Sequence, residues 1–341
     1  MGILLNLLCF LSAIYKSGAI SLGFLDVLYG ANYGISQPDN AWAISIIPHN
    51  TIVDQGPPIL IWHGLGDSYN SSSMIRLSSM LKISNPTSPV YSIHLDNNDG
   101  KDQQASLIGD AMSNVLSVCD HLENMGLAGS SSPPNAKEGV HMVGFSQGGL
   151  FLRSLVQLCD IPVKTLMTFG SPHMGFNEMP ECKGQGVSKW TCQSRNNYLK
   201  SRLNSEYFQN NIIPAQYYRD KTSESSYLEY LEKNVFLKWV NGELIKDEDM
   251  WQRLTNIKKF VAVAFTQDTV LKPWKSAWFW DTEPIGNEWQ EVPVKKSEGY
   301  KWDILGLKTL HDNGKLYFES VAGEHCQVED SRLLELFKLY L

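Results

Sequence analysis

Gly144-Phe145-Ser146-Gln147-Gly148 stands between the apolar run Val140-His141-Met142-Val143 and the stretch Gly149-Leu150-Phe151-Leu152-Arg153-Ser154-Leu155-Val156. The first run reads as a strand and the second as a helix. A serine flanked by glycines at such a junction sits on a turn too sharp for larger neighbours, with its hydroxyl projecting above the sheet. Residues this common also fall into that pattern by chance. The reading therefore stands only if the rest of the chain supplies a base, an acid and oxyanion donors at matching positions.

Upstream, Pro57-Pro58-Ile59-Leu60-Ile61-Trp62 suits a buried parallel strand and ends in His63-Gly64-Leu65-Gly66-Asp67-Ser68. Met74, Leu77 and Leu81 predict a helix over Ser73 to Leu81. Val90 to Leu95 reads as a strand, Asp96 to Gln104 as a polar loop, and Ala41 to Pro48 as an early strand. Leu107, Ala111, Val115, Val118 and Leu122 recur at helical spacing and predict an amphipathic helix, followed by a Gly/Ser/Pro/Asn loop from Gly126 to Glu138. Downstream, Val163 to Phe169 is another strand. The alternation then stops, and from about Gly175 to Asp249 the chain is polar, aromatic and helix-like. It resumes with strands over Lys259 to Phe265 and Leu316 to Val321, and Leu333, Leu336, Phe337 and Tyr340 mark a closing helix. This pattern predicts an α/β class: a mostly parallel central sheet flanked by helices, with residues 175–249 inserted as a helical cap in one domain of residues 20–341.

Serine is a poor nucleophile near neutral pH without a histidine to take its proton and a carboxylate to orient the imidazole. Where the serine sits on such a turn, the partners follow in the order Asp or Glu, then His. Of eight histidines, His325 comes just past the last apolar strand, in Gly323-Glu324-His325, where a loop can reach back over the sheet. His311 lies in a turn-like polar stretch and reads as solvated surface. Asp268 follows the preceding strand, with Asp281 and Glu283 as its competitors. Ligands of such sheets bind beyond the carboxyl ends of the strands, and all these residues fall there. The oxyanion donors are expected to be the backbone N–H groups of Gln147, directly after the serine, and of Leu65, in the Gly-rich loop after the Ile59–Trp62 strand.

The 341 residues carry a net charge of −7 and no basic cluster, which argues against a nucleic-acid partner. Met1 to Tyr15 is almost wholly apolar, and Lys16-Ser17-Gly18-Ala19 follows. Residues 1–19 read as a secretory signal peptide, with an uncleaved anchor as the alternative. Six cysteines are present. Cys182 and Cys192 can close a short loop, and Cys119 and Cys159 can bridge neighbouring helices. Cys9 lies in the signal and Cys326 is left over. Two bridges fit an oxidising compartment, and the alternative is that all are reduced and buried. The spacings do not match a zinc site, and no cofactor is expected. Asn70-Ser71-Ser72 is a glycosylation sequon, whereas Pro86 spoils Asn85-Pro86-Thr87.

The motifs His63-Gly64-Leu65-Gly66-Asp67-Ser68, Gly144-Phe145-Ser146-Gln147-Gly148-Gly149 followed by Phe151-Leu152-Arg153, and Gly323-Glu324-His325 together resemble palmitoyl-protein thioesterases of the lysosomal type. The resemblance runs from about residue 58 to the C-terminus and includes Trp278-Phe279 and Asp312-Asn313-Gly314. It implies an α/β-hydrolase fold with a helical insertion between the sixth and seventh strands, a triad of Ser146, Asp268 and His325, oxyanion donors at Leu65 and Gln147, and disulfides Cys119–Cys159 and Cys182–Cys192. The family often has adjacent cysteines where this chain has Tyr69-Asn70, which puts a small local bridge in doubt. The implied activity is release of long fatty acyl groups from cysteine thioesters of S-palmitoylated proteins, in the lysosome, vacuole or secretory pathway, by a protein expected to be a monomer. An acyl chain needs an apolar groove, for which Leu65, Val270 and Leu271 are candidates. The aromatic stretch Trp274, Trp278, Phe279 and Trp280 is a candidate for transient contact with a membrane surface. The competing readings are a lipase or carboxylesterase of broader specificity and a catalytically silent acyl-binding protein.

Overall fold

Strand segments that are apolar without alternation can be stable only with both faces covered. The computed structural model describes residues 43–46, 56–127, 139–182 and 189–341, and it has that arrangement. The strands are β1 (Ala43–Ile46), β2 (Ile59–Trp62), β3 (Val90–His94), β4 (Val140–Phe145), β5 (Val163–Phe169), β6 (Lys259–Phe265), β7 (Asp281–Ile285), β8 (Glu288–Val292) and β9 (Leu316–Val321). Seven of them form one sheet in the order β1-β3-β2-β4-β5-β6-β9, while β7 and β8 make a separate hairpin. β1 runs antiparallel to β3 at one edge, and the other neighbours are parallel.

The helices are α1 (Ser72–Ser84), α2 (Asp99–Ala105), α3 (Ala111–Asn124), α4 (Gln147–Leu158), α5 (Lys189–Lys200), α6 (Glu206–Asn211), α7 (Glu224–Lys233), α8 (Leu237–Val240), α9 (Glu248–Asn256), α10 (Glu298–Lys301), α11 (Leu307–Asp312) and α12 (Asp330–Tyr340). One core lies between one sheet face, α3, α4 and the insertion, with Trp62, Phe151, Phe236 and Phe260 among its fully buried rings. The other lies under α1 and α12, where Leu77, Leu81, Leu336 and Phe337 meet Ile59, Ile61 and Phe169. Disulfides join Cys119 to Cys159, across α3 and α4, and Cys182 to Cys192.

The elements differ from the expected ones in several places. Asp96 to Gln104 is not all loop, because α2 begins at Asp99 and runs to its end. Asn98 caps α2, Asp99 and Asp102 stand in its first turn, and its one buried residue is Asp102. A helix that buries a carboxylate instead of an apolar stripe leaves no periodicity to read. Leu107 precedes α3, which starts after its cap Asp110. The insertion runs on through α9 to Asn256 and, among the described residues, separates the fifth and sixth strands. His311 belongs to α11 and is half-buried, so it is not a turn residue. The aromatic stretch packs in part against the main core. Phe279 is buried, Trp274, Trp278 and Trp280 are half-buried, and the Trp278 indole N–H donates to the carbonyls of Ala262 and Glu319. The signal-peptide reading falls outside the described residues, and among those described no helix is long and apolar enough to cross a membrane.

Candidate active site

Ser146 sits between β4 and α4 with φ 51° and ψ −124°. An L-residue adopts positive φ at a cost, and its surroundings must hold it there. The Ser146 N–H donates to the Phe169 carbonyl on β5 at 2.7 Å. Gly148 admits no side chain, because a Cβ there would strike the carbonyls of Trp62 and His63 at the end of β2. The glycine thus lets the loop after β2 lie directly over the first turn of α4.

Asp268 and His325 come from loops leaving the neighbouring parallel strands β6 and β9. Pairing continues beyond the strands, with Thr266 N–H donating to Val321 O at 3.0 Å and Gln267 N–H to Gly323 O at 3.1 Å. The two loops therefore stay side by side and bring the two side chains together. His325 Nδ1 lies 2.5 Å from Asp268 Oδ2, and its Nε2 lies 2.9 Å from Ser146 Oγ. The other Asp268 oxygen accepts from the N–H groups of Val270 and Leu271 at 2.9 and 2.8 Å. Thr269 Oγ1 donates to Glu324 Oε2 at 2.7 Å and ties the two loops again beside this contact. Burial opposes charge on His325, but the neighbouring Cys326 thiol and the Asp268 carboxylate outweigh it, so its pKa is raised above 6.5.

Gln147 is the first residue of α4, so its N–H lacks an intrahelical acceptor. Its side chain is fully engaged: Nε2 donates to Ser106 O at 3.0 Å, and Oε1 accepts from Tyr217 Oη of the insertion at 3.1 Å. Leu65 lies in the loop after β2, half-buried. Gly64, just before it, is so close to the nucleophile that a Cβ there would meet Ser146 Cβ at 3.3 Å. The structure thus brings the segments carrying Leu65, Ser146, Gln147, Asp268 and His325 to one end of the sheet. It leaves the alternatives elsewhere. Asp281 is engaged by Arg219 and Lys221, both at 2.7 Å. Glu283 accepts from the Glu298 N–H at 2.7 Å. Of the groove candidates, Leu271 is buried in the main core, while Leu65 and Val270 are half-buried. Asn70 is exposed just ahead of Ser71, which caps α1.

Four further residues converge here that pattern reading did not find: Asp102, Gln103, Ser106 and Tyr217. The only signal available for the first three was a run of polar side chains directly after a strand at the same sheet end.

A model of the family described as palmitoyl protein thioesterase matches residues 58–325. The chain is 32% identical over 290 residues to a palmitoyl-protein thioesterase-dolichyl pyrophosphate phosphatase fusion of Schizosaccharomyces pombe, covering 82% of this chain and 43% of that protein. It thus spans less than half the length of that relative. Palmitoyl-protein thioesterase 1 of Caenorhabditis elegans is 29% identical over 291 residues, covering 83% of this chain and 91% of the relative. Lysosomal thioesterase PPT2-B of Xenopus laevis is 28% identical over 275 residues, covering 78% and 85%.

Proposed function

The chain belongs to the palmitoyl-protein thioesterase family, and on that premise we propose that it hydrolyses long-chain fatty acyl thioesters of cysteine, with Ser146 as nucleophile. His325 Nε2 takes the Ser146 proton as the oxygen attacks the thioester carbonyl. Asp268 holds the imidazole by Nδ1 and stabilises its charged form. The tetrahedral oxyanion lies against the N–H groups of Leu65 and Gln147. Collapse expels the cysteine thiol, which takes the proton from His325, and leaves an acyl-Ser146 ester. Water, deprotonated by the same imidazole, attacks the ester carbonyl, and collapse releases the fatty acid as Ser146 Oγ takes the proton back from His325.

The observation that carries this reading is the unbroken line Asp268–His325–Ser146, at 2.5 and 2.9 Å, ending on a serine held at positive φ. Two disulfides and relatives named as lysosomal thioesterases support an oxidising secretory or lysosomal setting, with S-acylated proteins as the substrates. The test is turnover of a palmitoyl-cysteine peptide. Ser146→Ala should abolish it and also abolish labelling by a fluorophosphonate, at unchanged thermal stability. Unchanged turnover in that variant would sink the assignment. Faster hydrolysis of triglyceride or short esters than of the thioester would move the function to a lipase or carboxylesterase.

A further inference from the structure

The oxyanion donor at Leu65 belongs to the peptide group whose carbonyl is that of Gly64. A trans peptide is planar, with its C=O and N–H pointing in opposite directions. Whatever grips the Gly64 carbonyl from behind therefore aims the Leu65 N–H forward. Two donors do so: His63 Nδ1 at 2.9 Å and the Asp67 N–H at 3.3 Å. The other nitrogen of the same ring, His63 Nε2, stands 3.1 Å from Asp102 Oδ2. Nδ1 thus donates to a carbonyl, while Nε2 is in ion-pair contact with the carboxylate but out of line for a hydrogen bond, and a charged imidazolium suits both neighbours.

The pair is sealed from solvent, with His63 2% and Asp102 0% exposed. Asp102 is itself anchored, accepting from the N–H groups of Leu95 at 2.7 Å and Tyr69 at 2.9 Å. Burial works against both charges. The mutual attraction and these hydrogen bonds prevail, so the His63 pKa is raised and that of Asp102 is lowered. The far side of the loop is held from the same segment. Gly66, at φ 72°, donates its N–H to Ser106 Oγ at 2.7 Å and accepts from Gln103 Nε2 at 2.6 Å.

We infer that His63 and Asp102 are positioning residues for the Leu65 oxyanion donor. The buried imidazolium, held by Asp102, orients and polarises the Gly64–Leu65 peptide, while Ser106 holds the next peptide and Gln103 the one after it. A hydrogen bond to a peptide carbonyl strengthens the donor at the other end of the same group, so the pair acts on developing negative charge without touching it. The inference rests on the acyl-transfer reading above.

The test compares His63→Asn with His63→Gln. Asparagine places an N–H where Nδ1 stands and can still grip the Gly64 carbonyl, whereas the glutamine amide reaches toward the Nε2 position. His63→Gln should lower kcat for the palmitoyl-cysteine peptide about 10- to 100-fold, less than the roughly 10²- to 10³-fold of outright loss of an oxyanion donor, with KM nearly unchanged. His63→Asn should recover most of that loss, and Asp102→Asn should fall between the two. The rate constant for phosphonylation of Ser146 by a fluorophosphonate should follow the same order. That chemistry also builds negative charge on oxygen, and it reads the positioning effect even if the wild-type protein does not hydrolyse the thioester, an outcome that counts against the functional reading alone. Thr165→Val removes the buried bond to Tyr340 O at the far end of β5 and serves as the stability control. It should lower the melting temperature without changing either rate per folded molecule. The 15N resonances of His63 should show both nitrogens protonated at pH 6.5, where an ordinary imidazole is half charged. Equal rates for His63→Gln and His63→Asn, full activity per folded molecule in His63→Gln, or a neutral His63 ring at that pH would each overturn the inference.

Discussion

In β5 and β6, every residue from Thr165 to Phe169 and from Phe260 to Phe265 is buried, and none is charged. The insertion, by contrast, buries Arg219 between Glu243 at 3.0 Å and Asp281 at 2.7 Å. Tyr227 and Tyr230 each donate to Glu243, and the Arg219 guanidinium lies over both rings. A second buried cation, Arg153, bonds Asn241, Gln157 and the carbonyls of Val240 and His173 where α4 meets the insertion. The sheet is held by burial, which is graded and tolerant of repacking. The insertion is held by specific charged pairs, in which loss of one partner strands the other. The sheet sets the line Asp268–His325–Ser146 through backbone register. The insertion reaches the oxyanion side of the site through the Tyr217 hydroxyl, which donates to the Gln147 side chain.

The largest expected effect breaks the sheet's line and leaves the insertion alone. Asp268→Asn keeps an oxygen for the N–H groups of Val270 and Leu271 but offers His325 Nδ1 a donor, which enforces the wrong tautomer. Steady-state kinetics should show kcat lower by about 10³- to 10⁴-fold, with little change in thermal denaturation. The converse variant is Arg219→Met, which leaves Glu243 and Asp281 buried without it. Thermal or chemical denaturation should register a loss of about 3–5 kcal/mol, while phosphonylation of Ser146 per folded molecule stays near the wild-type rate. A large fall in that rate would mean that the two regions are not separable.

A pH series sharpens the contrast. His325 must be neutral to accept the serine proton, and its pKa is raised, so free-enzyme kcat/KM should fall as pH drops, with the acid limb above 6.5. Below the limb the fall should approach tenfold per unit. Asp268→Asn should shift the limb downward and Arg219→Met should leave it in place. A wild-type limb below 6.5 would contradict the raised pKa and favour work at lysosomal acidity. For the insertion the pKa shift is opposite, although the loss again comes on the acid side. Burial raises the Asp281 pKa, but Arg219 and Lys221 more than offset this and hold it at about 2, against an ordinary 3.8. Its stabilisation is present above 3.8 and is lost as pH falls toward 2. The smallest effect is expected from Tyr217→Phe, which removes the insertion's hydrogen bond to the Gln147 side chain. A cost near 1 kcal/mol, or roughly fivefold in kcat, is the order expected of a single neutral hydrogen bond.

The same contrast explains what was legible in the sequence. Ile59–Trp62, Val163–Phe169 and Lys259–Phe265 announce themselves because burial on both faces demands unbroken apolar runs. Residues just past such runs, namely Ser146, Asp268, His325 and Leu65, inherit that legibility from their place at strand ends. Where side-chain polarity does the folding, the pattern vanishes. α2 is Asp-Gly-Lys-Asp-Gln-Gln-Ala and hides its one buried residue, Asp102, among solvated ones. β7 and β8 are largely exposed, carry Pro284 and several acidic residues, and pair only with each other. For Trp274 to Trp280, sequence reveals that the segment is aromatic, not how far each ring is buried. Tyr217 was invisible as a partner of Gln147 because nothing in a helical, aromatic stretch marks which hydroxyl will meet the sheet.

Ser146 and His325 are 179 positions apart in the chain, and they touch only because β4, β5, β6 and β9 lie side by side in one order. Closing loops of that length is the slow part of assembling a parallel sheet, and helices can form long before it is complete. During refolding, reactivity at the serine should therefore lag behind the recovery of helical circular dichroism. A phosphonate probe becomes a clock for topology: it stays silent on a chain that has its helices and reports only one whose strands have found their neighbours.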